Sequence, residues 1–493
     1  MLFNSYIFIC VFLPVTLIGF FSFTKYRKTY VAKVWLALAS LVFYAYWNPV
    51  YLPLLLISIV FNYTIGKSIS NAETRSLAAK LLLWVGISIN LALIGYYKYT
   101  GFLVSSVNEL LNRDFLVPQM VLPLAISFYT FTQIAYLVDA YLGQTKEANY
   151  DLLTYSLFVS FFPQLIAGPI LRHDQLIPQF SQRRKFIFSH KNIAYGLTLF
   201  SLGLSKKVLI GDSLSPWVAI VFDNASDVTF IEAWIGVLAY TFQLYFDFSG
   251  YSDMAIGLGM MFNISLPINF NSPYKSTSIT DFWRRWHMTL SNFLRDYLYI
   301  PLGGSRKGES RRYSNLLITM LLGGLWHGAG WTFVFWGGMH GAYLAINHWW
   351  RKHGFSLHWF LGWMITFNAV LFSWVFFRAH SLSDGIDLVQ TMLGMNGIIL
   401  PGNPEGKLSV LTQFGIQLKP GPEFAYLVPT VEDRSLIVVA LFGLTLAVTC
   451  LPNTQEIMQK FKPNWWWALI VGTLAAYCLL SLYKVSEFIY YQF

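Results

Sequence analysis

Tyr51 to Ile65, YLPLLLISIVFNYTI, contains no charged side chain. A helix of 15 to 20 such residues crosses roughly 30 Å of hydrocarbon, whereas a strand of a membrane barrel needs only about 10 alternating ones. Comparable runs lie at Ile9 to Phe23, Val34 to Tyr46, Leu81 to Ile94, Val121 to Tyr141, Leu152 to Phe162 and Ile193 to Ile210. More follow at Ala233 to Phe246, Leu316 to Leu325, Phe333 to Trp349, Leu361 to Phe377, Leu436 to Cys450 and Trp465 to Leu482. In hydrocarbon each crossing must close its own backbone hydrogen bonds, so the pattern predicts an all-α polytopic bundle of about 11 spans. Short or broken helices are expected only where protein or a water-filled cavity shields them, which suggests a central funnel.

Composition agrees with lipid as the solvent. Of the 493 residues, 55% are hydrophobic, 18% aromatic and 12% charged, against roughly 25% charged in soluble domains. We expect one integral domain over residues 1–493, with a polar surface elaboration at 380–434. That elaboration contains Pro401, Gly402, Pro404, Pro420, Gly421 and Pro422, and opens with an interfacial helix over Leu382 to Leu393. The first run lacks a basic start and a small-residue cleavage signature, so it reads as a retained span. Cys10, Cys450 and Cys478 are too dispersed for a disulfide framework or a cysteine metal site.

The net charge of +10 is carried by short loops, which fits membrane topology better than nucleic acid. Lys25, Arg27, Lys28 and Lys33 follow the first run, Lys67, Arg75 and Lys80 the third, and Arg183, Arg184, Lys185 and Lys191 precede the seventh. The positive-inside rule places these loops in the cytoplasm, together with Arg284 to Arg312, and the N-terminus outside.

Two stretches carry chemistry. Thr277 to Gly304, TSITDFWRRWHMTLSNFLRDYLYIPLGG, is too charged to span. Ser278 and Asp281 resemble a helix-start pair, and Pro301, Gly303 and Gly304 a stop. Helical spacing puts Arg285, Thr289, Asn292 and Asp296 on one face and Trp283, His287, Leu290 and Leu294 on the other. His287 is thus directed inward, as a core histidine or a functional one. In Leu321 to Leu344, LLGGLWHGAGWTFVFWGGMHGAYL, His327 lies in an apolar run between Trp326 and Trp331, amid Gly324, Gly328 and Gly330. An ionisable group at membrane depth is expensive and points to function. The glycines would let a ligand or a second helix approach it. His340, on a straight helix, would lie about 140° around the axis from His327, which argues against a shared metal site.

An apolar, water-poor pocket favours the uncharged imidazole, which can accept a proton from an attacking hydroxyl. His327 is the candidate general base. His287 is the candidate for orienting the acceptor or stabilising an oxyanion.

Several blocks resemble the membrane-bound O-acyltransferase family, nearest its bacterial alginate O-acetylation branch. They are Arg284 to His287, Leu294 to Gly304, Leu325 to Ala329, Phe161 to Gln164, Ala167 to Ile170 and Phe246 to Met254. The resemblance implies a ring of helices around a membrane-embedded funnel, His327 as catalytic residue and His287 as its partner. It further implies an acyl group taken from a cytoplasmic thioester, acetyl-CoA or a phosphopantetheine carrier. That donor is a substrate, so no resident cofactor is implied. Delivery is toward an extracytoplasmic polysaccharide, often through a partner protein, in the inner membrane of a bacterium. Trp326, Trp331, Trp286, Arg284 and Ser291 are the candidate substrate contacts. D-alanylation of teichoic acid, acetylation of peptidoglycan and proton-coupled export are the alternatives.

Four further signals receive bland readings, the first being Lys206 and Lys207, which read as snorkelling to the interface. Gly211-Asp212-Ser213-Leu214 spells an esterase nucleophile block but lacks a downstream Asp-x-x-His, and reads as a helix end. Asp247 and Asp253 suggest capping or an ion pair with a buried arginine rather than a cation site. His173, His190, His348, His353, His358 and His380 are assigned to loops and span ends.

Overall fold

A computed structural model describes residues 1–118, 120–145, 150–420, 425, 427 and 431–482. Gly421 and Pro422 lie outside the described residues. Every apolar run falls on a helix. In order these are α1 (Leu13–Lys25), α2 (Thr29–Ala45), α3 (Leu52–Asn71), α4 (Leu77–Ile94), α5 (Thr100–Leu111), α6 (Ile126–Tyr141), α7 (Leu152–Ser160) and α8 (Phe162–Leu165). Then come α9 (His173–Ser181), α10 (His190–Ser205), α11 (Asp212–Phe222), α12 (Phe230–Met261), α13 (Ile279–Arg285), α14 (Met288–Leu294) and α15 (Glu309–His327). The last are α16 (Trp331–Lys352), α17 (Trp359–Arg378), α18 (Leu382–Met392), α19 (Val431–Cys450), α20 (Thr454–Gln459) and α21 (Trp465–Leu480).

Among the described residues, five helices are long and apolar enough to cross a membrane: Phe8–Lys25, Pro49–Asn71, Leu77–Leu111, His190–Phe222 and Trp359–Arg378. Thr29–Ala45, Ser435–Cys450 and Trp465–Leu480 are shorter apolar helices. Single-turn π-helices interrupt three long helices, at Phe8–Phe12, Gly95–Tyr99 and Lys206–Gly211. Within 380–434, α18 starts on a capping box, Ser381 accepting from the Asp384 N–H while Asp384 accepts from the Ser381 N–H. Strands β1 (Ile398–Pro401) and β2 (Ile416–Lys419) follow and pair in parallel.

The chain divides into two compact units. One comprises Met1–Ser205, Gly250–Asn269 and a stretch from Met458, and the other Lys206–Ser249 and Phe270–Ile457. In the first, Phe3, Phe8, Phe43 and Phe162 form an aromatic core. Asn62 and Asn90 exchange amide hydrogen bonds between α3 and α4, so polar groups that hydrocarbon cannot satisfy are satisfied by each other. His173 is part of the same logic: it is buried, with Nε2 3.2 Å from Asp139 and Nδ1 2.9 Å from the Tyr150 hydroxyl.

The second unit corrects the reading of Gly211-Asp212-Ser213-Leu214. No helix ends there, because the π-turn at Lys206–Gly211 runs directly into α11. Its widened turn directs the Lys207 ammonium onto two carboxylates, 2.7 Å from Asp212 and 2.6 Å from Asp247 of α12. Asp247 therefore pairs with a lysine, where an arginine was expected. Gly211 faces the Asp247 backbone, where a methyl group would stand 3.3 Å from its nitrogen.

Candidate active site

The predicted helix through His287 is broken at that residue. Ser278 caps α13, accepting from the Asp281 N–H at 3.2 Å, and Asp281 pairs with Arg285 one turn on at 2.9 Å. The helix stops at Arg285, Trp286 is extended, and His287 takes φ 42° as the residue that starts α14. Left-handed backbone is rare for a residue other than glycine. The break turns both aromatic side chains inward: Trp286 stacks on Phe282 and meets Trp374, and the His287 ring lies 4.8 Å from Phe248 of α12. The single polar face expected from helical spacing is therefore not formed, and Thr289 is buried.

His327 is the last residue of α15, and Gly328 to Gly330 turn the chain into α16. The straight helix carrying both His327 and His340 is thereby replaced by a hairpin, because Gly328 and Gly330 adopt extended backbone that no helix continues through. The nearby glycines serve helix packing. A methyl on Gly324 would strike the Phe333 carbonyl, one on Gly337 the Met320 carbonyl, and one on Gly341 would stand 2.9 Å from the Leu317 Cα. Small residues at this spacing let two helices approach backbone to backbone in lipid.

These elements bring His287 and His327 together, with ring centroids 6.3 Å apart. Both are buried, His327 at 4% exposure. Trp326 lies against both rings, and Trp336 and Phe377 each stand 5.2 Å from His327. The aromatic partner across the hairpin is thus Trp336, whereas Trp331 is 52% exposed at the start of α16.

Sequence reasoning weighed His340 only as a metal-site partner of His327. It is fully buried, 4.8 Å from Trp336, and its Nδ1 accepts from the Trp283 Nε1–H at 3.3 Å, which places the ring hydrogen on Nε2. The signal was present in Gly328-Ala329-Gly330, which makes a hairpin and sets both His327 and His340 against Trp336 of α16.

A cavity of about 340 Å³ adjoins this cluster across Trp283. Its walls carry Arg284, Ser291, Asn292 and Arg295 but neither His287 nor His327. Arg295 is paired with Asp296 at 2.7 Å. Arg284 has no carboxylate partner among the described residues. Of the candidate contacts, Arg284 and Ser291 thus share one cavity, Trp286 and Trp326 pack around the imidazoles, and Trp331 joins neither group.

The family model described as MBOAT, membrane-bound O-acyltransferase family, matches residues 144–383. A peptidoglycan O-acetyltransferase of Helicobacter pylori is 42% identical over 100% of this chain and 98% of its own length. A probable alginate O-acetylase of Pseudomonas aeruginosa is 46% identical over 80% of this chain and 75% of its own. A teichoic acid D-alanyltransferase of Bacillus subtilis is 27% identical over 52% of this chain and 68% of its own. With its helices, its paired imidazoles and these relatives, the chain belongs to the membrane-bound O-acyltransferase family and is a membrane-embedded acyltransferase.

Proposed function

We propose that the protein moves an acetyl group from a cytoplasmic thioester to a hydroxyl of an extracytoplasmic glycan, with His327 as the general base. The observation that carries this reading is the pair of buried imidazoles at 6.3 Å. A single hydroxyl, hydrogen-bonded at about 2.7–3.2 Å to each side, bridges such a gap at an angle. His327 takes the hydroxyl proton as the oxygen bonds to the acyl carbon. The carbon–sulfur bond then breaks, and the thiolate recovers the proton. His287 orients the acceptor or hydrogen-bonds the developing oxyanion. The His327 ring is closed in by Trp326, Trp336 and Phe377 and the His287 ring by Phe248 and Trp326, so reactants reach them only when these rings turn aside.

Arg284, with no carboxylate partner among the described residues and in a cavity beside Ser291 and Asn292, suits an anionic donor such as acetyl-CoA or a phosphopantetheine carrier. The basic loops favour a cytoplasmic donor side, an outside N-terminus and residence in the inner membrane of a bacterium. Delivery then involves an extracytoplasmic acetyltransferase partner. Peptidoglycan is the acceptor we favour, because the similarity to the peptidoglycan enzyme extends over the whole chain. The higher identity to the alginate enzyme over most of the chain supports a secreted polysaccharide as the second reading.

The test compares purified wild type with His327→Ala in lipid nanodiscs, following radiolabelled acetyl-CoA or acetylated carrier protein. The variant should keep its melting temperature and donor binding while losing acetyl transfer. Normal transfer by a folded His327→Ala protein refutes the general-base role, and a wild type that never transfers acetyl would instead indicate a transporter. Mass spectrometry of muropeptides and of secreted polysaccharide, from cells with and without the gene, identifies the acceptor.

A further inference from the structure

The first unit holds a second, larger cavity of about 880 Å³. It is walled by α1, α10, α21 and the segment Phe186 to Phe188. Pockets for drug-sized ligands span roughly 300–1,000 Å³. Its walls are almost entirely hydrocarbon; of the polar lining residues, Ser22, Thr24 and Lys25 gather at one end of α1, and Ser201 lies on α10. The opposite end is formed by Ile9, Leu204 and Leu479. From Ile9 to Lys25 the groove follows α1 for about 24 Å at 1.5 Å per residue, more than the roughly 15 Å of one leaflet of a 30 Å core. Phe20 stacks on Phe186 and Phe21 meets Phe188 edge-on, which fixes the connecting segment against α1 at the Lys25 end.

Charge makes this groove selective. The sequence contains no Asp or Glu from Met1 to Ala72, nor from Gln175 to Gly211. These segments supply α1, the Phe186 to Phe188 wall and α10; Lys25 lines the groove, and Arg27, Lys28, Arg183, Arg184, Lys185 and Lys191 lie within a few residues of its lining in sequence. Among the described residues none of these seven cations has a carboxylate within ion-pair distance. Burial, and then the neighbouring Arg184 guanidinium, hold the Lys185 ammonium below its ordinary value, a strain that an anion beside it relieves.

We propose that this groove is a binding site for an anionic glycerophospholipid, with an acyl chain between α1, α10 and α21 and the phosphate at Lys25 and Lys185. Basic pockets between membrane helices are suited to such headgroups. The hydroxyls of Ser22 and Thr24 stand where a glycerol or phosphate oxygen would lie. The inference is independent of the proposed acyl transfer.

Native mass spectrometry of the delipidated full-length protein, given phosphatidylglycerol or phosphatidylethanolamine with identical chains, tests it. The expected result is one retained phosphatidylglycerol per chain, held at least tenfold more tightly than phosphatidylethanolamine. Lys25→Gln with Lys185→Gln should abolish that preference, and Leu197→Trp should lower retention of both lipids by filling the groove. Equal retention of the two lipids by wild type overturns the proposal, and that comparison stands even if a variant fails to fold. Unchanged retention in folded Leu197→Trp overturns it as well. So does a photo-crosslinker at Leu17 that captures a protein helix or a second copy in place of lipid.

Discussion

At the scale of single residues, His287 concentrates the chemistry. Its backbone is left-handed at φ 42°, a conformation that asparagine tolerates and β-branched residues resist. His287→Asn should therefore keep the turn between α13 and α14 while removing the imidazole. Melting temperature in detergent should change little, while acetyl transfer falls about 10²-fold or more, the loss typical of a deleted oxyanion donor. His287→Val should instead unfold at lower temperature, by about 1–3 kcal/mol of stability for strained backbone. Near-normal transfer by the asparagine variant would remove His287 from the reaction. The inward direction of His287 was legible from its spacing with Trp283 and Leu290. The break that produces it was not, because Arg284 to Met288 contains no glycine, proline, asparagine or aspartate to mark a turn. The stop comes from tertiary packing, as Trp286 inserts among Phe270, Phe282 and Trp374.

At the scale of elements, the α15–α16 hairpin determines whether His327 faces its aromatic partners. Both helices present glycine at the crossing, and a methyl on Gly324 would stand 3.1 Å from the Gly337 Cα. Gly337→Leu forces the helices apart against the Met320 carbonyl, and overpacking of this kind costs about 1–3 kcal/mol. Circular dichroism on heating in micelles should show the loss. Acetyl transfer should fall with it, since Trp336 and His327 ride on opposite helices of the pair. Gly338→Ala is the control: a methyl there meets only the Leu321 side chain at 3.5 Å, an ordinary contact. A Gly337→Leu protein as stable as the Gly338→Ala protein would show that the helices do not depend on this approach. The glycines of Leu321 to Leu344 were conspicuous in sequence, but composition alone did not separate room for a ligand from room for a helix. That distinction depends on which backbone stands opposite.

At the scale of the whole molecule, apolar side chains such as Ile18, Ile57, Leu110 and Val439 lie on the exterior while Asn62, Asn90, Asp139, Asp247, His287 and His340 lie inside. This arrangement was legible from composition and run length, because lipid leaves the backbone few alternatives. The interior partnerships were not legible, since they join residues far apart in sequence. Lys207 illustrates both points: its sequence suggested a lysine snorkelling to the interface, yet it is buried between Asp212 and Asp247. Removing one partner from a buried ion cluster costs about 3–5 kcal/mol, whereas replacing the whole cluster with neutral groups of similar shape is often tolerated. Lys207→Met alone should accordingly lower the melting temperature sharply, because two carboxylates then share a buried space. The triple variant Lys207→Met, Asp212→Asn, Asp247→Asn should recover most of that loss, by thermal unfolding in the same micelles. If the cluster instead reached water, the single variant would melt within about 1 kcal/mol of wild type, as exposed pairs do, and the triple variant would gain nothing.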